Sequence, residues 1–468
     1  MNNQIVFNTI LCFCLAAFSG CVKENTLVAE EGEEYAGGET TVFNTSRNAF
    51  SFQAPNLDGM EELEFFSGNS FFNQSWVSAP ASTSARDGLG PMFNALACSG
   101  CHFKDGRGRT PAFEGEFGHG LLIRLSISGT DIYGGTIPEP TYGGQLGDNS
   151  VPNVTKEGTI SIIYTEISGT FEDGTSYSLR KPTYDIINLG YGAMDAGVQM
   201  SPRVANQIVG LGLLEAISEA DILANVDESD ADGDGISGRA NQVHNRSDNS
   251  LQLGRFGWKS NQPNIRQQVA GAFVGDMGIT SKLFPDENCT GSQNDCNNAP
   301  NGNNVNGYEL DDDILDRVVL YVATLGVPGR RDWTSQDVLK GKQLFLDAGC
   351  QKCHIQKFKT GTHPTFSALS HQTIYPYTDL LLHDMGEGLA DNRPDYKADG
   401  QEWRTAPLWG IGLIPTVNDH SELLHDGRAR NVSEAILWHG GESEKSKQEF
   451  LKMTATEREQ LIQFVNSL

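Results

Sequence analysis

Two places in the chain set two cysteines three positions apart and follow them at once with a histidine. They are Cys98, Cys101 and His102 in "ALACSGCHFKDGRG", and Cys350, Cys353 and His354 in "AGCQKCHIQK". Two thiols on one turn of chain can add to the two vinyl groups of a single haem. The histidine that follows on the same turn then lies beneath the iron as its proximal ligand. Zinc held by four cysteines would use the same sulfurs, and a thioredoxin-like dithiol would use either pair. Neither needs the adjacent histidine twice. The spacing therefore predicts two covalently bound c-type haems, attached at Cys98, Cys101, Cys350 and Cys353, with His102 and His354 on the irons.

The other five of the nine cysteines sort by context. Cys12 and Cys14 lie in an apolar N-terminal run of signal-peptide length that ends in "FSGC". This ending resembles a bacterial lipobox, so residues 1–21 are expected to be a lipoprotein signal peptide with Cys21 lipidated. The chain is then expected in the periplasm or cell envelope, touching the membrane only through its lipid. Residues 22–48, with "AEEGEEYAGGETT", read as an acidic flexible tether. Cys289 and Cys296 flank the polar stretch "TGSQND" and are expected to form a local disulfide.

The elements that must hold the two motifs can be read from periodicity. "SQDVLKGKQLFLDAGCQKCH" predicts a helix with Ser335 as cap, running into the second motif. The terminal "TATEREQLIQFVNSL" has capping-box spacing at Thr454 and Glu457 and an apolar stripe at Leu461, Phe464, Val465 and Leu468. "DDDILDRVVLYVATL" predicts a further amphipathic helix, closed by "GVPGRRD". "GTISIIYTEISGTFEDGTSYSL" alternates and turns at Asp173-Gly174, which predicts a β-hairpin. The stretch from Ser201 to Val226 reads as helical. The resulting expectation is a mainly α fold of two cytochrome c-like domains, 49–328 and 329–468, the first enlarged by loops and the hairpin. A faint internal repeat supports duplication: placing Trp258 on His425 also places Gln268 on Ala435, ten residues on in each case.

Composition narrows the partners. There are 34 basic and 60 acidic residues, a formal net charge of -26. This argues against nucleic acid, because a phosphate binder presents a basic face. "SDADGDGISGR" spaces Asp230, Asp232 and Asp234 alternately before Gly235, half of an EF-type calcium signature. Asn241 stands at position 12, where the loop calls for glutamate.

With these residues in view, the chain resembles the dihaem oxidoreductase family, near the bacterial dihaem cytochrome c peroxidases. The resemblance covers nearly everything after residue 80. It is carried by "CSGCH", "DADGDGISGR", "GRFGWK", "RQQVAGAFVGDMGITS", "CQKCH", "DLLLHDMGEGLAD", "WRTAPLWG" and "LHDGRARNVSEAILWHGGE". It implies a tryptophan between the haems, matched by Trp258, and a glutamine with an acid at the open haem, matched by Gln268 and Asp276. The peroxidases carry Glu-Met where this chain has Asp276-Met277. It also implies a methionine on the second iron. The expected position holds Leu424, so Met385 is taken as the ligand, with His425, His383 and Tyr375 as rivals.

The implied activity is reduction of a peroxide at the first haem, with Asp276 moving the proton, Gln268 orienting the ligand and Trp258 as a stepping point for electrons. A small redox protein would supply those electrons through the second haem, and a small-molecule oxidant would receive them. A dihaem electron carrier and a dihaem oxidase of a partner protein are the alternatives.

Overall fold

The computed structural model describes residues 27–83 and 85–468. The expected leader and Cys21 lie outside the described residues. Among the described residues no helix is long and apolar enough to cross a membrane.

Two helix crossings hold the two motifs. Asp58 caps helix Gly59–Asn73 by accepting from the N–H groups of Met60 and Glu61, and Glu61 accepts from the N–H of Asp58 in return. Gly68 of this helix lies against the Arg317 carbonyl and Tyr321 side chain of helix Asp312–Thr324, so a side chain there would collide. Helix Gln336–Asp347 crosses the terminal helix Ala455–Ser467 in the same way. Its Gly341 lies against the Gln460 carbonyl and Phe464. Four residues after each glycine, on the same helix face, stands a phenylalanine. The Phe72 ring centroid lies 6.2 Å from that of His102, and Phe345 lies 6.1 Å from His354. One packing device thus positions both motifs.

The expectation of a mainly α fold is corrected here. The protein is mixed, with 28% helix, 19% strand and several small sheets. Much of the strand lies between the first motif and residue 260. Alternation in Leu121–Thr130 buries Leu121, Ile123 and Leu125 on one face, and these join Tyr142, Leu146, Ile160, Ile186 and Val204 in a second apolar cluster. The hairpin pairs Thr159–Thr170 with Ser176–Ile187, Thr159 opposite Ile187 and Thr170 opposite Ser176. Its turn places Gly174 at φ +87°, a conformation that favours glycine.

The stretch from Ser201 to Val226, read as helical, is only partly so. Gln199–Val204 is a strand antiparallel to Leu121–Ser126, and only Leu211–Glu215 and Glu219–Leu223 are helical. Gly210, at φ +69°, interrupts a helix through this segment.

Where it is described, the segment expected as a tether packs against the rest of the chain. Thr41–Val42 pairs in parallel with Val327–Pro328. Glu33 is fully buried between Arg330 at 2.8 Å and Lys342 at 2.5 Å. Acidic composition suggested a solvated segment, but these cations, distant in sequence, compensate the buried carboxylate. A single apolar core runs from Phe65 and Tyr321 through Trp409 to Phe345, Tyr377 and Phe464, on both sides of residue 328.

Candidate active site

Each motif winds one tight turn. Cys98–Cys101 is a single α-turn, and the His102 N–H closes it on the Cys98 carbonyl at 2.9 Å. Cys350–Lys352 is a 3-10 turn, closed by the Cys353 N–H on the Cys350 carbonyl, and the His354 N–H reaches the same carbonyl at 3.0 Å. None of these four cysteines is paired in a disulfide. Burial, joined by nearby carboxylates for the first pair, raises them above the usual thiol range, Cys98 and Cys350 to about 12. Both imidazoles are oriented alike. Nδ1 of His102 lies 2.7 Å from the Asn206 carbonyl, and Nδ1 of His354 lies 2.9 Å from the Tyr377 carbonyl. A carbonyl only accepts, so Nδ1 carries the hydrogen and Nε2 presents its lone pair, as a metal ligand must. Burial lowers the pKa of His102 and pushes that of His354 down to about 4, which keeps both rings neutral.

Both motifs open onto one internal cavity of about 660 Å³ with mainly apolar walls. The charged residues that line it are Arg107, Arg124, Arg203, Arg246, Arg404 and Lys447 against the single acid Asp276. In a chain of net charge -26, the described lining of this cavity is therefore cationic. Nη1 of Arg404 is buried there without a hydrogen-bond partner. Each haem brings two propionate carboxylates with its apolar ring, so an apolar cavity with cationic walls and an orphaned guanidinium N–H fits the group. The residues present therefore fit two haems, with the cysteines and the two oriented histidines as the holding groups.

The distal wall near His102 comes from helix Ile265–Met277. The Asn264 side chain caps it by accepting from the Gln267 N–H at 2.8 Å. Gln268 and Asp276 both reach the cavity from this helix. Asp276 is half-buried and lines the cavity. Gln145 Nε2 donates to Asp276 Oδ1 at 2.9 Å. Burial raises the Asp276 pKa, and the neighbouring Arg124 charge and the Gln145 bond oppose the rise.

Gln145 and Arg124 are site residues that the sequence reading missed. They stand opposite each other in an isolated antiparallel bridge. A charged residue inside the apolar run "LLIRLSIS" was the available signal for Arg124.

Trp258 is buried, and its Nε1 donates to the Val204 carbonyl at 2.8 Å. The Arg107 guanidinium lies 5.3 Å from its ring. On the other side His425 is edge-on to Trp258 at 6.5 Å and stacks face-to-face on Trp403 at 3.7 Å. Trp258, His425 and Trp403 thus form a continuous aromatic column along the cavity that both motifs share. The sequence reading gave Trp258 and named His425 as a rival ligand, but not Trp403.

Around the second motif, Met385 lines the cavity, its sulfur 3.9 Å from Ser443 Oγ, whose hydrogen goes to the Gly440 carbonyl at 2.7 Å. His383 is bound at both nitrogens, Nε2 to Asp379 at 2.8 Å and Nδ1 to Glu442 at 2.7 Å. Burial opposes its charge, but Asp379, joined by Cys353, outweighs it and raises its pKa well above the usual histidine range. Tyr375 is buried, with its hydroxyl on Glu30 at 3.3 Å. Leu424 lines the cavity with no group that could ligate.

The expected calcium set is rearranged. Asp230 and Asp232 cluster with Asp227, whereas Asp234 turns to Lys352 of the second motif at 2.9 Å. Backbone N–H groups of Ala231, Asp232 and Gly235 donate to Asp227 and Asp230. The acidic loop thereby clasps the second CxxCH turn. Cys289 and Cys296 form a disulfide, with Cα atoms 5.7 Å apart. Their loop docks through Tyr191, whose hydroxyl donates to Asp295 at 2.7 Å.

No curated protein matches the chain. Among solved structures it is similar to hydrazine synthase from Kuenenia stuttgartiensis pressurised with xenon, at 12% identity and a TM-score of 0.37, with 100% of each chain covered. That likeness is too low to carry a structural argument. The family described as "Di-haem oxidoreductase, putative peroxidase" matches residues 31–468, from inside the expected tether to the last residue. With two CxxCH turns on one cavity, the protein belongs to the di-haem oxidoreductase family.

Proposed function

We propose that the protein is an exported dihaem c-type peroxidase. A peroxide is reduced on the His102 side of the cavity by electrons that arrive from a small redox protein through the His354 side. The observation that carries this reading is the group at the first motif: a half-buried carboxyl, Asp276, held by Gln145 beside Arg124 and facing the cavity that His102 and both its cysteines line. Haem bound there supplies the iron redox chemistry needed to cleave an oxygen–oxygen bond.

The protein's own residues supply the rest. Asp276, as carboxylate, would accept the proton of one peroxide oxygen and return it to the other, which departs as water. Overall, two electrons and two protons convert hydrogen peroxide to two waters. Gln145 fixes the carboxyl through its amide bond, and Arg124 moderates the rise that burial imposes on the carboxyl's pKa. Gln268 presents an amide to the same space. The column of Trp258, His425 and Trp403 supports an electron path between the two sides. Export and a lipid anchor at Cys21 rest on the apolar N-terminal run alone.

Stepwise reduction of the holoprotein, with peroxide added at each stage and the electronic spectrum recorded, tests this reading. One haem is expected to be high-spin and to react with peroxide once the other is reduced. Two six-coordinate haems, inert to peroxide at every stage, would make the protein an electron carrier. Reaction with peroxide but no turnover with a reduced cytochrome would favour oxidation of a partner protein instead.

A further inference from the structure

The two sides of the cavity differ at one pair of equivalent positions. We propose that His439 is the distal ligand of the iron carried at His354, and that Ala272 fills the equivalent place at the first iron and leaves it open. This rests on the reading that each CxxCH turn carries a haem.

The internal repeat supplies the equivalence. Trp258 and His425, Asn264 and Asn431, and Ala272 and His439 are all separated by the same 167 positions (425 − 258, 431 − 264, 439 − 272). The structure gives the middle pair the same task. Asn264 caps helix Ile265–Met277 by accepting from the Gln267 N–H at 2.8 Å. Asn431 caps helix Val432–Trp438 by accepting from the Glu434 N–H at 2.9 Å. Each acceptance comes from the third residue after the cap. The first helix turns Gln268 and Ala272 to the cavity, and the second turns Ala435 and His439 to it. His439 stands just past the end of its shorter helix, as its C-cap.

The ring of His439 is set as a ligand's ring is set. Its Nδ1 lies 2.6 Å from the carbonyl of Ala435, so Nδ1 carries the hydrogen and Nε2 is left with its lone pair. His102 and His354 have the same arrangement on the Asn206 and Tyr377 carbonyls. Three histidines on one cavity therefore share one tautomer, two in the motifs and one on the distal helix.

Two competing histidines are otherwise engaged. Both nitrogens of His383 are held by carboxylates. His425 is stacked on Trp403. Met385, the ligand expected from sequence, also lines the cavity, and the variants below separate it from His439. Ala272 has no lone pair to offer. The asymmetry assigns transfer to one haem and reaction to the other. Imidazole in place of thioether also lowers the potential of the transferring haem, which favours electron flow toward the open one.

Electron paramagnetic resonance and near-infrared magnetic circular dichroism of the holoprotein test the assignment, on wild type, His439→Ala, His439→Met and Met385→Leu. The wild type is expected to show one bis-imidazole low-spin iron and no thioether–iron charge-transfer band. His439→Ala loses the low-spin signal of that haem. His439→Met keeps a low-spin iron, gains the thioether band and has a raised midpoint potential, which keeps the test sound if the alanine variant fails to fold. Met385→Leu leaves the spectrum as it was. A low-spin signal that survives His439→Ala, or one lost in Met385→Leu, overturns the assignment while two haems are still counted by mass. Absence of porphyrin from the wild type overturns the haem reading itself.

Discussion

Replacing Asp276 by Asn is expected to lower peroxide turnover by about 10²–10⁴-fold, the range typical of a lost general acid–base. The substitution keeps shape, and its amide cannot take a proton from one peroxide oxygen and give it to the other. Both haem spectra should persist, because Asp276 is not among the holding groups. The pH dependence carries further information. Asp276 must begin as carboxylate, so kcat/KM falls as pH falls through its pKa. Burial raises that pKa, so the acid limb should lie above the ordinary aspartate range. The limb should vanish in the Asn variant. A turnover and pH profile unchanged by the substitution would remove Asp276 from the reaction.

Replacing Cys98 and Cys101 together by Ala is expected to abolish peroxide turnover, by more than about 10³-fold, while one reducible haem remains. The matching change at Cys350 and Cys353 should leave a haem that still meets peroxide but no longer draws electrons from a reduced cytochrome. The two double variants therefore differ in kind. The first loses the reacting site and keeps transfer, and the second loses transfer and keeps the site. Stopped-flow mixing with peroxide and steady-state oxidation of reduced cytochrome separate them. Equal loss of both activities in both variants would contradict the division of labour between the two motifs. Thermal melts of each variant distinguish that result from simple unfolding, since both cysteine pairs border the same apolar core.

The chemistry was legible in the sequence where it is local. A CxxCH turn is five consecutive residues, and the alternation of 159–187 with Asp173-Gly174 is one hairpin. Features assembled across long separations were not legible. Gln145 reaches Asp276 from 131 positions away, through a bridge to Arg124 that no short window reveals. Glu33 read as solvated because its cations lie near 330 and 342. The acidic loop advertised Asp234 as a cation ligand, but Lys352 claims it from the second motif.

Strand content exceeds the expectation because, apart from the one hairpin, much of the strand pairing in 121–204 joins partners distant in sequence, such as Leu121 with Val204. There, alternating Leu121, Ile123 and Leu125 build a second apolar cluster. The repeat that aligned Gln268 with Ala435 also aligns Ala272 with His439. What made that pair meaningful is the fixed ring of His439, a three-dimensional fact.

The central claim is that two haems are joined to this polypeptide at its two CxxCH turns, on one cavity. Intact-mass spectrometry of the holoprotein, followed by peptide mapping, tests it most directly. The mass should exceed that of the polypeptide by two haem groups, one on the peptide of Cys98 and Cys101 and one on that of Cys350 and Cys353. A mass equal to the bare polypeptide, or four unmodified thiols, would contradict it.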